Sequence, residues 1–175
     1  WLSPQALQDY LVPITDALPV EDRQRLFIGW IKRTFHVDFA ESSVTNQVYW
    51  SPVDTLFGNL VFEFRSNLAQ ERESAQSALT ESIAGLKKSF PEAVFTGIAT
   101  DGIHFILYAP IYLEDGISIR SLDLVSEINL SESQEAMTMD QPYIWFELLL
   151  SGFLKQTTPA SPKMISFTLG VPSAC

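Results

Sequence analysis

The apolar positions of this chain change period several times, and each change marks an element. Leu7, Tyr10, Leu11 and Ile14 recur at helical steps behind Ser3-Pro4, a pair suited to an N-cap and a first helical position. They predict a helix running toward Pro19. A second helix is expected over about 20–36, where Leu26, Phe27, Trp30, Ile31 and Phe35 form one stripe. Its other side carries Arg23, Arg25, Lys32 and Arg33. Such a face either meets a nucleic-acid backbone or, as is commoner, simply meets water. Residues 43–50 are β-branched and aromatic enough for a strand, which Ser51-Pro52 interrupts.

Two short apolar runs then flank Gly58-Asn59, a pair that fits a two-residue hairpin turn. In that register Phe57 faces Leu60, Leu56 faces Val61, and Asp54 faces Glu63. Ala75, Leu79, Ile83, Leu86 and Phe90 give a third helix over about 67–90, which Pro91 stops. Lys87 and Lys88 near its end suit the helix dipole. Strands follow at 93–99 and 103–112, joined through Asp101-Gly102, and another at 117–125. Thr100 and Asp101 read as turn chemistry. Residues 132–154 read as a long helix, apolar almost all round at Trp145, Phe146, Leu148, Leu149, Leu150 and Phe153, and weakened by Pro142. Such a helix is deeply buried or turns a second face to another domain.

The expected hairpin has a chemical consequence. Directly opposed residues share a face of the sheet, so Asp54 and Glu63 would stand side by side. Arg65 lies on that face by the period of two, while Leu60, Phe62 and Phe64 fill the other. Two acids and a base on one patch suit metal-assisted phosphodiester hydrolysis. Mg²⁺ prefers one or two carboxylates and keeps several waters. The ion polarises the phosphoryl oxygen and acidifies a water, and a nearby cation offsets the charge of the transition state. The plainer alternative is an ordinary hairpin whose acids belong to ion pairs.

The order of elements adds to the hairpin. A helix, the strand with Glu63-Phe64-Arg65, an amphipathic helix, a strand ending in Thr100-Asp101-Gly102 and a further strand follow one another. Over about residues 20–112 this resembles the PD-(D/E)XK, or restriction-endonuclease-like, superfamily. In particular it resembles N-terminal nuclease domains of restriction–modification proteins, where an Asp precedes one strand and Glu-x-Lys lies in the next. The resemblance implies a mixed α/β (α+β) fold, a central sheet of about five strands flanked by helices. The helix between the Glu63 strand and the 93–99 strand implies a parallel crossover. The resemblance also implies that Asp54 and Glu63 bind Mg²⁺ or Mn²⁺, and that Arg65 stands where the catalytic Lys would be. Arg is a planar fork that never deprotonates, so it is not a simple replacement for Lys. Many relatives carry Gln and Tyr on the following helix, where this chain has Ala78 and Ser82. Glu41 or Glu21 is a candidate for a further upstream acid.

Composition sets the remaining limits. With 175 residues and 46% hydrophobic content, the chain has the makings of one folded domain, expected over 1–155. Thr157-Thr158-Pro159-Ala160-Ser161-Pro162 opens a linker-like tail, 156–175, expected to lead to further domains such as a methyltransferase or target-recognition domain. The first residue is Trp, as expected of a piece of a longer protein. Net charge is −10, with 8 basic and 12 acidic residues in 1–100 and 3 and 9 in 101–175. This argues against broad electrostatic attraction to DNA, and a separate module is expected to carry target binding. The single cysteine, Cys175, allows no intrachain disulfide. The two histidines, His36 and His104, do not make a zinc motif. No stretch is long and apolar enough for a membrane span, so a cytoplasmic location is expected. Walker-type, dinucleotide and nucleophile-elbow glycine motifs are absent. Two functions follow: a Mg²⁺-dependent DNA endonuclease domain, or an inactive nuclease-like domain that binds DNA or protein.

Overall fold

Among the described residues one mixed sheet organises the molecule, with six strands lying side by side in chain order. The computed structural model describes residues 4–51, 59–133 and 140–151. The strands are β1 (Ala40–Glu41), β2 (Gln47–Trp50), β3 (Asn59–Phe64), β4 (Phe95–Thr100), β5 (His104–Tyr112) and β6 (Ile119–Asn129). All neighbours pair antiparallel except β3 and β4, which are parallel. Helix α3 (Leu68–Ser89) makes the crossover between them, as its position in the sequence requires. The sheet has one strand more than expected because β1 adds a short edge beside β2.

The pleat sorts the apolar residues into two cores. Leu60, Phe62 and Phe64 of β3, with Phe105 and Leu107 of β5, meet α1 (Pro4–Leu11), α2 (Val20–Phe35) and α5 (Asp140–Ser151). The ring of Phe27 on α2 lies 5.4 Å from Phe62, 5.7 Å from Phe64, 5.2 Å from Phe105 and 6.0 Å from Phe146. Tilted aromatic pairs of this kind add about 0.5–1.5 kcal/mol each beyond area burial. On the opposite face Ala75, Leu79 and Ile83 of α3 cover Val61, Ala99, Ile106 and Tyr108. Gly97 lets that helix approach, since a Cβ there would stand 3.2 Å from both Leu79 and Ile83.

Several expectations need correction. The first helix stops at Leu11 and does not reach Pro19, because Pro13 biases Val12 away from helical dihedrals. The 43–50 strand shortens to β2, after Asn46 takes a positive φ of 69°. The long helix expected over 132–154 is represented by α4 (Leu130–Ser133) and α5; residues 134–139 and 152–154 lie outside the described set. Pro142 sits in the first turn of α5, where its missing N–H costs nothing. Trp145, Phe146, Leu149 and Leu150 are buried, so α5 is a core helix; Ile144 alone of its large apolar residues is markedly exposed.

The basic face of α2 also breaks up. Arg23 is buried and its guanidinium donates to the carbonyls of Leu18 (2.8 Å), Asp101 (2.9 Å) and Thr15 (2.7 Å). Tyr10 Oη donates to the carbonyl of Gly102 at 2.5 Å. The β4–β5 turn is thus fastened to α1 and α2. Gly102 has φ +95°, and Asp101 Oδ1 accepts from the backbone N–H groups of Ile103 and His104, so this segment is turn chemistry as expected. Arg25 and Lys32 are exposed and pair with Asp22 and Asp38.

Arg23→Met is therefore expected to cost about 3 kcal/mol in urea denaturation, because it strands buried carbonyls. Arg25→Met is expected to stay within about 0.5 kcal/mol. A second expectation concerns alkaline pH. The Tyr112 hydroxyl is buried with no hydrogen-bond partner among the described residues, and burial pushes its pKa up to about 12. The unfolded phenol ionises near pH ~10, so the unfolded state sheds its proton first. Stability then falls as pH rises from about 10 to about 12. Tyr112→Phe should leave Tm at neutral pH unchanged or higher and should reduce the alkaline loss in a pH series of melts. A wild-type slope retained in that variant would assign the loss elsewhere.

Candidate active site

The carboxyl ends of the parallel pair β3 and β4 lie beside the start of α3. In open α/β sheets this is where ligands bind. The backbone N–H of Arg65 donates to the Thr100 carbonyl at 2.9 Å, so the pairing continues one residue past β3. Asp101 Oδ2 accepts from the backbone N–H of Leu68, the first residue of α3, at 3.3 Å. Asn67 caps that helix by accepting from Gln70 N–H, and Glu71 Oε2 accepts from Asn67 N–H at 3.1 Å. These two bonds satisfy donors that a helix start leaves bare.

Glu63 projects toward α3 from the next-to-last position of β3 and is 3% exposed. Its Oε1 accepts from Gln47 Nε2 at 2.5 Å, and its Oε2 accepts from Arg65 Nη1. The same Gln47 nitrogen donates to Ser82 Oγ of α3 at 2.6 Å, and Ser42 Oγ lies 3.5 Å from Gln47 Oε1. Arg65 is held as firmly. Nη1 also donates to the Phe64 carbonyl at 3.0 Å, Nε to Ser74 Oγ at 3.3 Å, and Nη2 to the Ser74 carbonyl at 3.3 Å. Four of its N–H bonds are thereby engaged. Glu71 Oε1 stands 3.9 Å from Nε. A guanidinium so tethered cannot swing freely; its fork fixes the direction of the Glu63 carboxylate.

The expected register around Glu63 is corrected here. Glu63 is opposite Gln47, Val61 opposite Tyr49 and Leu60 opposite Trp50. The places across from these residues that a Gly58-Asn59 hairpin would give to Asp54, Leu56 and Phe57 are held by β2, and β4 takes the other edge of β3. Asp54 lies outside the described residues, as do Gly58 and the rest of 52–58. The face assignment is as expected: Arg65 joins Glu63, and Leu60, Phe62 and Phe64 lie on the other side.

Ser82 belongs to the polar group, whereas Ala78 makes no polar contact in it. Glu41 is opposite Val48, on the sheet face away from Glu63, and Glu21 lies in the first turn of α2, which packs on that same far face. Neither is suited to join Glu63. Tyr49 packs against the α3 core and Trp50 against the other, in line with core packing. Lys87 donates from Nζ to the Ala93 carbonyl at 2.7 Å, just beyond the helix end, and burial lowers its pKa. His104 Nε2 contacts Glu127 at 2.7 Å. Among the described residues no three acids, histidines or cysteines cluster as a metal site would need.

Gln47 and Ser74 were the unforeseen members. A lone amide inside the run Gln-Val-Tyr-Trp was the available signal, since a buried side-chain amide requires a polar partner. The chain matches no family model, no curated protein and no solved structure.

The side chains of Glu63 and Arg65 are only 4% and 15% exposed. Arg65→Met should therefore cost about 3–5 kcal/mol, since it leaves a buried carboxylate unpaired. The double change Glu63→Gln with Arg65→Met should recover most of that loss. A denaturation cycle with near-additive effects would show that the pair is energetically idle.

Proposed function

We propose that this chain is a Mg²⁺-dependent DNA endonuclease domain of the restriction-endonuclease-like kind, part of a longer restriction–modification type protein. The observation that carries the reading is the Glu63-x-Arg65 couple at the carboxyl end of β3 beside the start of α3, with Glu63 buried and Arg65 half-buried. The order α2, β3, α3, β4, the Thr100-Asp101-Gly102 turn and β5 supports it.

A carboxylate is a ligand type that a hard cation takes. Each Glu63 oxygen accepts one hydrogen bond, from Gln47 or Arg65, and a carboxylate oxygen has room for a second interaction. Glu63, with Asp54 from the preceding segment, would hold Mg²⁺ or Mn²⁺. Such an ion, when bound, polarises the phosphoryl oxygen and acidifies a water. Arg65 aims Glu63, and the one of its five N–H bonds with no acceptor among the described residues would face an oxygen of the scissile group. Arg65 is no general base, because its pKa stays above ~12. With a net charge of −10, the chain reaches DNA through another part of the protein, in the cytoplasm. Among the described residues no helix is long and apolar enough to cross a membrane.

A second reading is an inactive nuclease-like module that docks on DNA or protein. The closed Glu63–Arg65 ion pair favours it, because that couple is already neutral.

Plasmid cleavage by the full-length protein with and without Mg²⁺, Mn²⁺ and chelator separates the two readings. Activity should depend on the metal, vanish in Glu63→Ala, and persist or rise in Arg65→Lys. Saturating metal at about a hundredfold over Kd should add about 2.7 kcal/mol and raise Tm by about 5–10 °C. Absence of cleavage and of any metal-linked shift would favour the inactive module.

A further inference from the structure

Among the described residues, the hydrogen-bond partner of Glu63 other than Arg65 comes from the neighbouring strand β2. Gln47 is 2% exposed, directly opposite Glu63, and divides its amide nitrogen between Glu63 Oε1 and Ser82 Oγ. Its carbonyl oxygen has Ser42 Oγ as a partner at 3.5 Å. A buried amide could be satisfied by one partner on one element. Here it joins three: β2, β3 and α3. Arg65 grips one oxygen of Glu63 and Gln47 the other, so the carboxylate cannot rotate without breaking a bond at each end.

We propose that Gln47 is a positioning residue for Glu63 and that Ser82 acts through it. The inference rests on the reading of Glu63 as a metal ligand. Partners that hold a ligating carboxylate in place typically change metal affinity by about 10–100-fold when removed. Ser82 touches the amide and not the carboxylate, so its effect is transmitted by Gln47. Tyr49, two residues along β2, shares the Ser42 hydroxyl at 3.2 Å, which ties the outer end of the relay to the sheet edge.

The test uses the full chain and Mn²⁺ as probe, with free ion counted by electron paramagnetic resonance and folding checked by circular dichroism. Gln47→Met keeps the volume and removes the donors; it should weaken Mn²⁺ binding about tenfold or more while the protein remains folded. Ser82→Ala should weaken it several-fold alone and add little in the Gln47→Met background. Glu63→Ala sets the baseline of no binding at this site. Wild-type affinity in folded Gln47→Met overturns the inference and leaves the metal reading standing. Additive losses for Ser82→Ala and Gln47→Met overturn the relay. A wild type that binds no more Mn²⁺ than Glu63→Ala removes the metal reading itself, and the inference with it. Should Gln47→Met fail to fold, Ser82→Ala alone decides: unchanged affinity there overturns the relay.

Discussion

A carboxylate taken out of water on the third strand is the constraint around which this structure is arranged. An isolated buried Glu would cost several kcal/mol, so Glu63 must be met by donors that are themselves well placed. The fold brings them from both sides. Arg65 comes from the same strand, two residues on, and Gln47 from the adjacent one. Neither is left to its own flexibility. Arg65 is tethered to Ser74 and Gln47 to Ser82, so the helix over the sheet indirectly holds the acid. The apolar packing beneath α3 then has a second consequence. Close contact of Leu79 and Ile83 with Gly97 sets the height of the helix, and that height sets where the two serines fall.

The other face of the sheet keeps this arrangement rigid from behind. Phe27 packs on rings from β3, β5 and α5, so the strand carrying Glu63 is backed by Phe62 and Phe64. Arg23 and Tyr10 pin the β4–β5 turn, and Asp101 of that turn takes the first N–H of α3. A contact chain thus runs from α1 and α2 to the helix start beside Glu63. No part of it touches Glu63, yet each link limits how far α3 can move.

Much of this was legible in the sequence, for a specific reason. Period carries long helices well: the stripes at Leu26–Phe35 and Ala75–Leu86 are α2 and α3, with a parallel crossover between β3 and β4, although Phe90 falls just past α3 and is exposed. Period also carried the face shared by Glu63 and Arg65, because alternation fixes a side whatever strand lies alongside. It could not carry register. A Gly-Asn pair between apolar residues is a local signal, whereas β2 is selected by the whole sheet. The error hid Gln47, since a wrong neighbour removes the right one. Arg23 was misread for a related reason. A charge on the polar side of a helix reads as solvated until the loops it bonds, at Thr15, Leu18 and Asp101, are known.

The charges around Glu63 also limit what this patch would attract. Glu63 and Arg65 cancel, and Glu71 at 3.9 Å from Arg65 leaves an excess of one negative charge among the described groups. Four of the guanidinium N–H bonds face protein acceptors, so the one cation in this group is turned inward. A phosphodiester approaching this patch therefore meets net repulsion, at short range where salt screens little. The chain as a whole, at −10, adds to it. Attraction must come from a cation bound beforehand, or from basic residues of a partner laid against the same edge. In the first case the ion and the nucleic acid bind with positive coupling, each raising affinity for the other by the same factor. In the second, the patch serves as half of an interface, and the acid that looks catalytic is a complement to a partner's positive charge. The geometry of Glu63 is the same in both cases; only the source of the missing positive charge differs.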